Sequence, residues 1–184
     1  MKKLLYLSLA AFLMTSGGSM TFANPGGGSS GSSSGQAVKK CKKGEVVQKV
    51  NNVKKCVKVK AGILPDDELY ELGRVLAKAG QYEWALQVLA AIQNQNDPRV
   101  LNYTGYSNRK AGRLEIGITY YHKALAIDPN FVLAREYLGE GYVAAGRVDL
   151  AQIQLSEIKN RAGVDSEEYK DLSKAITTGV VEPD

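Results

Sequence analysis

Apolar and polar positions change rhythm along this chain, and each rhythm predicts a different element. Leu4 to Met14 form an apolar run broken only by Ser8. Further on come Val46-Val47, Val50 and Val53, then Val57 and Val59 alternating with lysines, which predicts a β-hairpin turning at Asn51-Asn52. From residue 66 the spacing becomes helical, and small residues return on a longer schedule. Gly73, Gly105 and Gly139 lie 32 and 34 residues apart. Seven residues after each stands a second glycine (Gly80, Gly112, Gly146), and five residues later a small residue (Ala85, Gly117, Ala151). A period near 34 predicts stacked pairs of antiparallel helices. The first glycine falls inside a helix, where it costs about 0.5–1 kcal/mol relative to Ala, so its return predicts a neighbour too close for a Cβ. The second ends that helix, where φ > 0 favours Gly.

One more 34-residue step from Val132 reaches Ser166, where a last helix is expected. Asp165 followed by Glu168 suggests a capping box, and Tyr169, Leu172, Ala175 and Ile176 recur at helical spacing. Glu167, Lys170, Asp171 and Lys174 give it a polar outer face suited to covering the end of a stack. The expected class is all-α, with repeats at about 66–97, 98–131 and 132–165 and a capping helix at 166–177.

The register resembles the tetratricopeptide repeat (TPR) family. In the second unit Gly105, Gly112, Gly117, Tyr121, Ala124 and Asp128-Pro129-Asn130 fall where that family keeps a glycine, a turn glycine, a small residue, an aromatic, an alanine and a closing proline. Leu138-Gly139, Tyr142, Gly146, Ala151 and Leu155 repeat the pattern, as do Leu72-Gly73, Leu76, Gly80, Ala85 and Leu89. The departures are Leu69, Leu101 and Arg135 at the family's tryptophan-like position, Thr104 and Asn108 in the second unit, and a first unit two residues short before Pro98.

Charge divides the chain further. Lys2 and Lys3 precede the apolar run, and Thr21-Phe22-Ala23 follows it, which reads as a signal peptide (1–23) cleaved after Ala23 and an exported, periplasmic or secreted product. Residues 24–36 form a Gly/Ser linker. Residues 37–60 hold nine lysines against Glu45, a net of +8, whereas residues 61–184 carry −5. In an exported chain the even pair Cys41 and Cys56 is expected to form a disulfide stapling the basic hairpin. That head either touches anionic envelope polymers or lipid head groups, or only covers the first repeat. It lacks interleaved aromatics, which argues against nucleic acid.

No metal, cofactor or catalytic motif is evident, and His122 reads as a surface residue. The expected function is therefore a non-enzymatic adaptor of the bacterial envelope. The resemblance implies a peptide or partner segment in the concave groove lined by the first helix of each pair. Carried over position by position, the groove comprises Asp67, Tyr70, Arg74 and Lys78, then Arg99, Asn102, Tyr106, Arg109 and Lys110, then Leu133, Glu136, Glu140 and Val143. A matching ligand offers acidic groups to Arg74, Lys78, Arg109 and Lys110 and a basic group to Glu136 and Glu140. Exposed ends of so short a stack also leave pairing of two copies open.

Overall fold

The computed structural model describes residues 41–50 and 53–181; the expected signal peptide, the Gly/Ser linker and the Asn51-Asn52 turn lie outside them. Two strands are followed by seven helices: β1 (Glu45–Val50), β2 (Val53–Lys58), α1 (Asp66–Lys78), α2 (Tyr82–Leu89), α3 (Pro98–Lys110), α4 (Leu114–Ile127), α5 (Val132–Ala144), α6 (Val148–Ala162) and α7 (Glu167–Thr178). No described helix is long and apolar enough to cross a membrane.

Helices α1/α2, α3/α4 and α5/α6 form three pairs, and α7 packs on α5 and α6. The turn glycines act as expected. Gly80, Gly112 and Gly146 take φ of 74°, 85° and 71°. The following residue then donates its N–H back to the helix it leaves, Gln81 to Leu76 at 2.8 Å, Arg113 to Asn108 at 2.9 Å and Arg147 to Tyr142 at 2.8 Å. The mid-helix glycines mark close approaches. A Cβ on Gly105 would lie 2.8 Å from the Tyr121 ring and 3.0 Å from the Gly117 carbonyl. On Gly73 it would meet Leu89 of α2, and on Gly139 it would meet Leu172 of α7.

Local chemistry sets the helix ends. Asp97 caps α3 by accepting the Arg99 N–H at 2.8 Å, with Pro98 at the first helical position. The cap of α7 is Ser166, whose hydroxyl accepts from Tyr169 N–H at 3.2 Å. The Asp165/Glu168 capping box therefore does not form: the hydroxyl one residue later takes the cap position. Helix α2 has only 8 residues because the shortened first unit leaves the helix early. Side chains replace the missing turn. The Asp66 carboxylate accepts the Gln93 and Asn94 N–H groups at 2.9 and 3.0 Å, and Gln95 Nε2 donates to the Leu89 and Ile92 carbonyls.

The strands pair antiparallel with Val46 opposite Val57 and Val47 opposite Cys56. Cys41 and Cys56 are disulfide-bonded, their Cα atoms 5.4 Å apart. Val46, 2% exposed, enters the apolar core of the helices, with Val57, Val59, Ile63 and Leu64 packed around it. Gln48 Nε2 donates to the Ile63 carbonyl at 2.8 Å. The hairpin thus joins the helical body through Val46, and a Cβ on Gly44 would lie 3.3 Å from Gln87 of α2.

Candidate functional site

Helices α1, α3, α5 and α7 lie side by side in that order. A chain of tyrosines runs across them: Tyr70 to Tyr103 at 5.9 Å between ring centres, Tyr103 to Tyr106 at 6.0 Å, and Tyr106 to Tyr137 at 5.2 Å. Pairs at these separations contribute beyond their buried area. Tyr103 and Tyr137 are buried in the core, 4% and 2% exposed, and also line the cavity described below.

Cations cover these rings. Arg99 stands 4.7 Å from the Tyr70 ring centre, and Lys110 Nζ 5.6 Å from that of Tyr106. Lys78 Nζ lies 5.1 Å from Tyr106 and 5.3 Å from Tyr137, and donates to the Tyr137 hydroxyl at 2.8 Å. Tyr106 is consequently 2% exposed, and Tyr70 is buried as well. Burial, helped by Tyr103 and Glu71, pushes the Tyr70 phenol up to about 12 against the pull of Arg99 and Arg74.

The groove charges assigned from the sequence largely meet one another. Arg109 Nη2 is 2.6 Å from Glu140, each side chain 5% exposed, and Arg109 Nε donates to the Tyr121 hydroxyl at 3.2 Å. Arg74 pairs with Glu71 at 2.9 Å, and Arg99 with Asp97 at 2.6 Å and Asp67 at 3.0 Å. The expectation that Arg109 and Glu140 await opposite charges from a ligand is corrected: their side chains are long enough to span α3 and α5. Tyr106 is likewise no open wall, since three cations roof it. Asn102 is fully buried, and its amide has no hydrogen-bond partner among the described residues. Glu136 is buried too. His122, expected on the surface, is exposed and shares a 2.8 Å hydrogen bond with the Tyr142 hydroxyl.

What stays open is a cavity of about 330 Å3. Tyr103, Leu133 and Tyr137 form its apolar walls, Lys78 reaches in from α1, and Glu136, Glu167, Glu168 and Asp171 supply carboxylates. Glu167, Glu168 and Asp171 form no ion pair with any described residue. Sequence reasoning gave Glu168 to a capping box and Glu167 and Asp171 to a polar outer face. The signal that finds them is the repeat itself, because 34 residues after Leu133 and Tyr137 stand Glu167 and Asp171. Among the described residues no His, Cys, Asp and Glu group is arranged to hold a metal ion.

No protein-family model matches the chain. No curated protein matches it. Solved structures do. The first TPR domain of Spaghetti (RPAP3), bound to an HSP90 peptide, aligns with a TM-score of 0.55 at 13% identity, covering 64% of this chain and 94% of that one. The Sgt2 TPR domain from Aspergillus fumigatus gives 0.55 at 17%, covering 64% and 82%. The Yersinia enterocolitica type III secretion chaperone SycD, in complex with a peptide of the translocator YopD, gives 0.52 at 21%, covering 61% and 87%. The architecture is thus a short all-α TPR solenoid, three helix pairs and a closing helix, preceded by a small disulfide-linked β-hairpin.

Proposed function

We propose that this protein is an exported, non-enzymatic interaction scaffold of the bacterial envelope that holds an extended partner segment along its concave face. A basic side chain of that segment enters the cavity between α5 and α7. The carrying observation is the cavity itself, where unpaired Glu167, Glu168 and Asp171 face the tyrosines Tyr103 and Tyr137. Carboxylates there reward an ammonium or guanidinium group electrostatically. An acidic ligand is disfavoured, because Arg74, Arg99 and Arg109 already pair with Glu71, Asp97 and Glu140. Two of the similar folds are seen with bound peptides, which supports the mode of use. The Cys41–Cys56 disulfide and the lysine-led apolar start support export to an oxidising compartment.

The test is an array of extended peptides with each position varied, probed with wild-type protein and with Glu167→Lys/Asp171→Lys. Enrichment of Lys or Arg at one position, weakened by about tenfold or more in the variant, supports the assignment. Binding with no basic preference, or indifferent to the variant, overturns it.

A further inference from the structure

The strand register fixes what the hairpin shows to solvent. Val46 and Val57 face inward, so the alternation of a strand turns Glu45, Val47, Lys54, Cys56 and Lys58 outward, with Glu45 opposite Lys58 and outnumbered by the two lysines. Val47 is 39% exposed, and both lysines are exposed with no ion pair to any described residue. The disulfide at Cys56 holds this outer face to the chain at Cys41, which lowers the cost of ordering it against a partner.

An acceptor for such a face exists on the same chain but out of its reach. The hairpin begins beside Gln87 of α2, which a Cβ on Gly44 would approach to 3.3 Å, α7 closes the last repeat, and no hairpin residue lines the cavity containing Glu167 and Asp171. That cavity already accommodates one ammonium: Lys78 Nζ bonds to the Tyr137 hydroxyl over two tyrosine rings. The uneven charge, +8 over residues 37–60 against −5 over residues 61–184, draws the head of one molecule toward the body of another.

We infer that the outer face of the hairpin docks in the concave cavity of a second copy, Lys54 and Lys58 meeting Glu167 and Asp171, so that the protein assembles head to tail. The two surfaces differ, so the contact is heterologous and runs on into an open series unless the rotation closes a ring. It rests on the peptide-binding assignment of the same cavity, and self-assembly and peptide capture therefore compete.

Sedimentation velocity on the purified protein tests this. At about 20 mM salt the mean mass should climb with concentration, and at about 500 mM salt it should return to the monomer. Lys54→Glu/Lys58→Glu and Glu167→Lys/Asp171→Lys should each be monomeric alone and should associate when mixed, because each then offers the face that the other lacks. Lys159→Glu, exposed on α6 and outside the cavity, should assemble like wild type. A wild type monomeric at low salt, or association untouched by both reversals, overturns the proposal. So does a monomer that binds anionic phosphatidylglycerol vesicles through Lys54 and Lys58 instead. The selected basic peptide is added to the same samples: if it binds a protein that stays monomeric, self-assembly fails while the peptide assignment stands. If it binds and dissolves the assemblies, both hold.

Discussion

The Arg109 guanidinium and the Glu140 carboxylate lie 2.6 Å apart, sealed between α3 and α5. Removing one partner leaves the other charged and buried, so Arg109→Ala should cost about 3–5 kcal/mol, whereas Arg109→Met with Glu140→Leu should recover most of it. Urea unfolding of the two single variants and the double variant measures this. Equal losses in all three would mean that the pair itself contributes the stability.

Gly105 and Gly117 bring α3 and α4 into backbone contact. A Cβ at 117 would sit 2.8 Å from the Gly105 carbonyl, and one at 105 would strike Tyr121 and the Gly117 carbonyl. Each Ala substitution should destabilise by about 1–3 kcal/mol through overpacking. Because both act on one contact, the double variant should lose less than the sum. Thermal unfolding decides it.

Asp97 gives the array an acid-sensitive joint. The Arg99 side-chain hydrogen bond, with backbone N–H groups of Arg99 and Val100, holds its carboxyl below the usual range. Its folded pKa is depressed, so its contribution is full above the unfolded value of about 4 and fades as pH falls through the lower folded value. Asp97→Asn should flatten that part of the stability–pH curve while keeping a cap, and Asp97→Ala should cost about 1 kcal/mol at neutral pH.

Reducing the Cys41–Cys56 bond, which spans 15 residues, should remove about 3 kcal/mol of constraint from the hairpin. Trypsin should then cut among Lys42, Lys43, Lys54, Lys55 and Lys58 much faster. Far-UV circular dichroism should keep its helical signal, since α3 to α7 do not depend on the strands. Helix loss in step with reduction would show instead that the hairpin holds the array together.

The glycine schedule made the helix pairs and their turns legible, because a positive φ and a missing Cβ are properties of the residue itself. Long side chains are another matter. Register places Arg109 and Glu140 on neighbouring helices, but only the distance between the helices decides whether they reach each other or a ligand. Glu167 and Asp171 were hidden for the opposite reason: a carboxylate in a first helical turn, like Glu167, or on a polar outer face, like Asp171, has a sufficient local explanation. The shortness of α2 was visible as two missing residues before Pro98, but the Asp66 carboxylate that holds the chain beyond it lies 27 residues away in sequence.

Lys78 changes how the array should come apart. In a solenoid each repeat ordinarily senses only its neighbours, so its ends can fray one unit at a time. Here an ammonium from α1 is bonded to a hydroxyl on α5, 59 residues away, with the second repeat's Tyr106 beneath it. Loosening the first repeat therefore withdraws a bond from the third, and the three units should unfold as one cooperative body.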